Sequence, residues 1–342
     1  MEAASAPRGS GRFVAPGLNA STSMGHFQVS LCVGDGMPMP RRVRWTRPLP
    51  WSDDRIVKEP SVAVLGAGAL GAAMAARLGE TGHQVNLWNR TPDRARAIAT
   101  ASSGVTAVAD LTDAVKEVPV VLTVLRDGDA VAEVMNAAID GLDAGAVWVQ
   151  ASTVGPDSAR RLGELARTHA VAYLDAPVSG STGPARHGTL VWLTSGSREA
   201  FELAEPTLRR LGAAVEYLGS GVEGSALKIV VNAWMTSATV AMSDVLSLCD
   251  ALGIDHELFA RVLADGPLAM PYAQQKATAM DGHAYTAGFA IELARKDLAL
   301  AENSLPPSPL LLAVRRRLDQ AIADGHGHDD LAAVDYQRGK PE

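Results

Sequence analysis

Cysteine is scarce in this chain, with only Cys32 and Cys249 among 342 residues. Two thiols cannot build a disulfide framework, and their separation fits no zinc-ligand spacing. A reduced, cytoplasmic setting is the expectation. A basic surplus is also absent. Lys and Arg number 31 against 38 Asp and Glu, a net charge of −7, which argues against a general nucleic-acid binder. No apolar run reaches about 18 residues without a charge or a turn signal, so no membrane span is expected. No internal repeat is visible. What the chain does have is a hydrophobic fraction of 47%, ample for a core, and a length that allows two ordinary domains and an extension.

Residues 1–57 differ from the rest. They are rich in Gly, Pro, Ser and Arg and hold no period of two or 3.6, as in Pro38-Met39-Pro40-Arg41-Arg42. This composition predicts a disordered extension. Arg outweighs acid there, as in a transit peptide, but Glu2 and the prolines work against an amphipathic helix. A translation start at Met24, Met37 or Met39 is the alternative.

Patterned sequence begins near Ser61. The apolar runs Val62–Leu65, Gln84–Trp88, Val118–Leu125, Ala146–Ala151, Val171–Leu174 and Leu190–Leu193 have strand length, and helical patterns lie between several of them. Strands alternating with helices predict a parallel sheet covered on both faces. From Gly224 the texture changes. Ser225–Leu252 is nearly unbroken apolar and small residues, followed by helical patterns over 256–263, 272–280, 291–303 and 309–323. The expected fold class is therefore α/β: a Rossmann-like dinucleotide-binding domain over 58–221, then an all-helical domain over 222–337.

The first strand runs into Gly66-Ala67-Gly68-Ala69-Leu70-Gly71, a GxGxxG loop that opens a helix. The three glycines serve a tight turn, a close backbone approach to a pyrophosphate, and helix–strand packing. The helix N-terminus then offers free N–H groups to phosphate. A glycine turn without ligand is the bland reading, and the strand–loop–helix context disfavours it. At the end of the second strand, where an acidic residue would grip the ribose 2′-hydroxyl of NAD, stands Trp88-Asn89-Arg90-Thr91-Pro92. With no carboxylate to repel a 2′-phosphate, Arg90 can bind it bidentately and Asn89 and Thr91 can add hydrogen bonds. NADP(H) is the expected cofactor and NAD(H) the lesser one; a solvated surface arginine is the plain alternative.

Asp175-Ala176-Pro177-Val178-Ser179-Gly180-Ser181-Thr182-Gly183 follows a strand. Such a loop can offer N–H groups and hydroxyls to a substrate carboxylate, or be an ordinary turn. Lys228 and Asn232, one helical turn apart among apolar neighbours, put an ammonium and an amide on one face. A lysine there must snorkel, pair or point into a cleft, and in a cleft its pKa can fall toward the range of a proton donor. A dinucleotide loop followed by such a lysine suggests hydride transfer with the lysine handling the proton. No metal is needed, since the ammonium itself can stabilise a developing alkoxide.

Together these segments resemble the β-hydroxyacid dehydrogenase family, which includes 3-hydroxyisobutyrate dehydrogenase and tartronate semialdehyde reductases. The resemblance runs from about Ser61 to Leu300 and rests on five motifs in family order: the glycine loop, Ser152-Thr153 with Pro156, DAPVSGSTGPARHGTL, GSGVEGSALKIVVN, and Lys296-Asp297-Leu298. It implies Lys228 as general acid in reduction and general base in oxidation, with Asn232 beside it. It implies that Ser179, Gly180 and Ser181 hold a substrate carboxylate, and that Leu125, Arg126, Thr153 and Lys296 touch the cofactor. Dimers or tetramers joined through the helical domain are also implied. The chain departs from the family pattern at Ser181, Pro184, Arg126 and Gln150, where glycine, alanine, proline and aspartate are usual; the first two border the expected pocket and leave the substrate open. The expected activity is interconversion of a small β-hydroxy acid with its semialdehyde or keto acid, on a CH–OH group. An imine reductase of the same architecture is the first alternative; that group usually lacks both the lysine and the Val-Ser-Gly segment found here. A non-catalytic dinucleotide-binding regulator is the second.

Overall fold

The strand Val62–Leu65 is apolar at every position because both of its faces are covered. Val62 and Val64 point into one core with Met74, Leu78, Leu122 and Leu208, while Ala63 and Leu65 point into another with Val121, Met135, Trp148 and Leu162. This strand, β1, belongs to a computed structural model that describes residues 61–304, 306 and 308–338. The expected extension over 1–57 and Cys32 lie outside the described residues. The remaining strands are β2 (Val85–Trp88), β3 (Val105–Ala107), β4 (Val120–Thr123), β5 (Val147–Gln150), β6 (Ala172–Asp175), β7 (Val178–Ser179), β8 (Leu190–Gly196) and β9 (Gly212–Gly219). Helices α1 (Ala69–Glu80), α2 (Pro92–Ala101), α3 (Leu111–Val115), α4 (Gly128–Ala138), α5 (Gly155–Thr168), α6 (Thr182–His187) and α7 (Arg198–Leu211) connect them.

Strands β3-β2-β1-β4-β5-β6 run parallel in that order, so chain direction along the sheet reverses between β1 and β4. A crevice at such a switch point, beyond the carboxyl ends of the strands, is where open α/β sheets bind nucleotides. The sheet is not parallel throughout, contrary to the alternating pattern. Strand β8 pairs antiparallel with both β6 and β7, through Asp175 opposite Ser195 and Val178 opposite Trp192, in one continuous register broken only at Ala176-Pro177. Thus β7 carries the line of β6 onward and holds the substrate-like segment at the sheet's end. Strand β9 pairs parallel with β8. Sequence patterning missed β3, β7 and β9: two are short, and β9 is half-buried along its length.

Helix α8 (Glu223–Leu252) is the longest element, with 30 residues, and ends on Gly253 in the left-handed conformation that glycine favours. Its length and mean hydropathy of 1.3 would suffice to cross a membrane, a property that buried core helices share. It serves instead as a core helix, packed on β8 and α5 at one end and on α10 (Pro271–Asp281), α11 (Ile291–Glu302) and α12 (Pro309–Ala323) further on. A third core forms there from Val240, Leu246, Met280, Leu298, Leu318 and Leu331. Between α8 and α10 lies α9 (His256–Ala264), none of whose residues is buried. The architecture is a Rossmann-like α/β sheet followed by a helical region from α8 to α12.

Candidate active site

Three glycines shape the loop after β1, each for a different steric reason. A Cβ on Gly66, which sits at φ +122°, would lie 2.2 Å from the Val124 carbonyl oxygen of the neighbouring β4 end. One on Gly71 would lie 2.0 Å from the Gly66 carbonyl oxygen. Both positions exclude any side chain and bring loop, helix and β4 into contact. Gly68 is different: it is exposed, and nothing lies within 4 Å of a Cβ built there. It is also the N-cap of α1, and no side chain caps that helix. Ala69 beside it is exposed and Leu70 half-buried, so the first-turn N–H groups face an open crevice. An uncapped helix start behind an open glycine fits the pyrophosphate of a dinucleotide.

Asn89 takes a role that the sequence did not suggest. Its Oδ1 accepts from the Ala67 N–H at 3.0 Å, and its Nδ2 donates to the Thr91 carbonyl at 3.0 Å. The amide straps the glycine loop to the end of β2 and keeps one N–H of its NH2 group unused at the half-exposed crevice edge. Arg90 is exposed, and its one ion pair, to Glu133 at 3.8 Å, is long and solvated. Thr91 is the exposed N-cap of α2, and its side chain caps nothing.

Across the crevice, the Leu125 N–H donates to Ser152 Oγ at 2.8 Å. Gln150 is buried and straps Ser152 from both sides: its Nε2 donates to the Ser152 carbonyl at 3.0 Å and its Oε1 accepts the Ser152 N–H at 2.7 Å. Arg126 projects outward beside Asp127, 3.5 Å away. The next residue, Thr153, meets the helical region, and its carbonyl accepts from Lys296 Nζ at 2.7 Å. Lys296 also pairs with the neighbouring Asp297 at 2.7 Å. Asp297, 2% exposed, accepts from Asn232 Nδ2 at 2.6 Å. A chain of contacts therefore runs from the glycine loop to the face of α8 that carries Asn232 and Lys228.

Lys228 is only 9% exposed. Burial pushes its pKa down from 10.5 to about 8, and the positive charge of Lys296 adds to the fall, while the negative charge of Asp297 opposes it. An amine near 8 exists in both protonation states around neutral pH, which suits proton transfer in either direction.

Asp175 fixes the start of α8. It is fully buried at the end of β6, and its carboxylate accepts from the Ser225 N–H at 2.8 Å, from Ser225 Oγ at 2.7 Å and from Ser195 Oγ at 3.2 Å. Ser195 Oγ in turn accepts the Gly224 N–H at 2.9 Å. A Cβ on Gly224 would stand 2.2 Å from the Leu193 carbonyl oxygen, so glycine lets α8 start directly against β8. The negative charge sits where the helix dipole favours it, one turn before Lys228. Burial nonetheless pushes the Asp175 pKa up to about 6, against the pull of its hydrogen-bond donors. No local pattern marks this anchor, because Ser225 lies 50 residues away. Four residues after Asp175, Ser179 pairs with Val191 in the β7–β8 ladder, Gly180 takes φ +127°, and Ser181 is the N-cap of α6, which packs on α1. The described residues contain no group of His, Cys, Asp and Glu that could hold a metal ion.

Comparison with known proteins places this arrangement. Residues 61–219 match the NAD binding domain of 6-phosphogluconate dehydrogenase, and residues 222–336 match the NAD-binding domain of NADP-dependent 3-hydroxyisobutyrate dehydrogenase. Over 288 residues the chain is 30% identical to glyoxylate/succinic semialdehyde reductase 2, chloroplastic, of Arabidopsis thaliana, covering 80% of this chain and 78% of that protein. The structure of Mycobacterium tuberculosis 3-hydroxyisobutyrate dehydrogenase with L-serine superposes with a TM-score of 0.73 at 25% identity, covering 81% of this chain and 98% of that one. An imine reductase from Myxococcus stipitatus shares the fold less closely, with a TM-score of 0.56 at 23% identity over 81% and 98% of the two chains. The chain belongs to the β-hydroxyacid dehydrogenase family and is an NAD(P)-binding oxidoreductase that acts on CH–OH groups.

Proposed function

From that membership we propose an NADPH-dependent reductase and dehydrogenase that interconverts a small β-hydroxy acid with its semialdehyde or keto acid, with Lys228 as the proton carrier. The observation that carries the reading is a buried lysine of lowered pKa, one helical turn from Asn232, whose contacts run through Asp297 and Lys296 to Thr153 at the edge of the nucleotide crevice.

Residues Gly66–Gly71 and the N-terminus of α1 hold the pyrophosphate, with Leu125, Thr153 and Lys296 along the path to the reacting end. When bound, the nicotinamide supplies the hydride to the carbonyl carbon in reduction and takes it back in oxidation. Lys228 gives its proton to the carbonyl oxygen in the first direction and removes the hydroxyl proton in the second. Burial removes competing water and strengthens the attraction of the ammonium for the developing alkoxide. Ser179, Gly180 and Ser181 hold the substrate carboxylate, Ser181 from the start of the helix that packs against α1. Preference for NADPH rests on the exposed, weakly engaged Arg90 at the end of β2 and on the lack of any carboxylate between Trp88 and Pro92.

A homodimer through the helical region is part of the reading. Val230, Trp234, Leu248 and Leu252 lie exposed along α8, and Val262 of the unburied α9 is 72% exposed. An apolar stripe of this kind calls for a partner surface.

The test is an NADPH-consumption screen over short semialdehydes, keto acids and imines, run beside Lys228→Ala. Turnover on the oxo acids that falls on the order of 10² to 10⁴ in the variant is expected. Near-wild-type turnover in Lys228→Ala, or turnover on imines alone, would overturn the reading.

A further inference from the structure

Asn232 has a two-ended side chain, and only one end is engaged. Nδ2 donates to Asp297 Oδ2 at 2.6 Å. Oδ1 is buried and has no hydrogen-bond partner. The orientation is chemically forced, because a carboxylate paired with Lys296 at 2.7 Å can only accept. An unmatched buried acceptor costs free energy until a donor reaches it.

We propose that Asp297 is a positioning residue for the reaction: it fixes the Asn232 amide with its carbonyl oxygen as the free end, one turn from Lys228, and holds the lysine by its charge. This deepens the functional reading above and rests on it. Asn232 then offers an acceptor and no donor. It takes an N–H of the lysine or the hydroxyl of the alcohol substrate, and it does not bind the carboxylate or the developing oxyanion. Substrate anion recognition therefore falls to other groups.

The charged groups acting on Lys228 are Asp297, which holds its proton on, and Lys296, which drives it off; both come from α11. Asp175 at the end of β6 faces Ser225, a turn earlier, and Glu223 is bound to the Gly221 N–H. Replacing Asp297 by Asn removes the group that favours the ammonium and leaves Lys296 uncompensated. Replacing Asn232 by Ala has the opposite effect, since Asp297 loses its amide donor and turns its charge on the lysine.

The experiment is the pH dependence of kcat for carbonyl reduction in the full chain. Wild type, Asp297→Asn, Asn232→Ala and Lys228→Ala are compared, with NADPH affinity measured by fluorescence titration. In Asp297→Asn the alkaline limb should move down by about one pH unit or more, and kcat at neutral pH should fall by about twofold or more with it. In Asn232→Ala the limb should move up. A limb fixed at the wild-type pH in both variants overturns the proposal, whatever happens to NADPH affinity, because a merely structural role would lower stability without moving it. If Asp297→Asn does not fold, the direction of the Asn232→Ala shift decides alone. Failure of the functional reading looks different: there Lys228→Ala itself keeps turnover.

Discussion

Lys296 reaches across 143 residues of sequence to donate a hydrogen bond to the Thr153 carbonyl at 2.7 Å, and it does so while paired with Asp297. One ammonium thus links the end of the nucleotide crevice to the buried cluster around Lys228. Its charge lowers the Lys228 pKa. With Lys228 as the proposed proton carrier, its ammonium form serves reduction, so wild-type kcat should fade as pH rises through about 8. In Lys296→Met the limb should move to higher pH, since a like charge is gone and Asp297 acts unopposed. NADPH affinity should weaken in the same variant. A pH–rate profile with the limb unmoved would break the link.

Asn89 and Arg90 are neighbours with separable duties. Arg90→Ala should lower kcat/KM with NADPH by about tenfold or more while leaving the NADH value nearly unchanged, as expected for a lost charge-assisted contact to a single phosphate. Asn89→Ala should harm both cofactors alike, because the amide acts through the Ala67 N–H and the loop they share. Steady-state kinetics with the two cofactors checks both, and equal losses with NADPH and NADH in Arg90→Ala would defeat the assignment.

The glycines separate folding from binding in the same way. Gly68→Ala adds a methyl group into open space, so the apo protein should melt close to wild type while NADPH affinity falls. Gly66→Ala drives a methyl group to 2.2 Å from the Val124 carbonyl oxygen at φ +122°, so the apo protein itself should melt several degrees lower, as a strained site costing about 1–3 kcal/mol would require. Thermal melts of the two apo variants, followed by NADPH titration, distinguish these outcomes.

Local sequence disclosed the elements that carry a strong local signal. The glycine loop, the apolar central strands and every helix from α8 to α12 follow from period and punctuation alone. The antiparallel turn of β8 and the strand β9 did not, because pairing direction is set by partners far along the chain and β9 has no fully buried face. The site divides similarly. Lys228 and Asn232 were legible as a pair one turn apart. Residue type alone points Asn89 toward the cofactor, and the fold adds that its amide also ties Ala67 to Thr91. Asp175 stood at the head of the recognised substrate segment, yet its bond to Ser225 spans 50 residues and left no local trace.

That carboxylate makes the stability of the protein depend on pH in an unusual direction. Most native carboxylates have depressed pKa values and lend stability as pH rises. Asp175 is raised to about 6 from 3.8, so the folded state keeps its proton at a pH where the unfolded chain has lost it. Below about pH 4 both states are protonated and the group is neutral to stability. Between pH 4 and 6 the folded state binds more protons, so stability from this group falls as pH rises. Above 6 the full penalty for burying the charge applies, a little over two pKa units or about 3 kcal/mol. Asp175→Asn should therefore melt higher relative to wild type at pH 7 than at pH 4.5, even though it loosens the start of α8 and lowers kcat. Tm differences between variant and wild type across that range provide the measurement. A difference that stays constant with pH would mean that the carboxylate at the head of α8 is as well solvated as it would be in the unfolded chain.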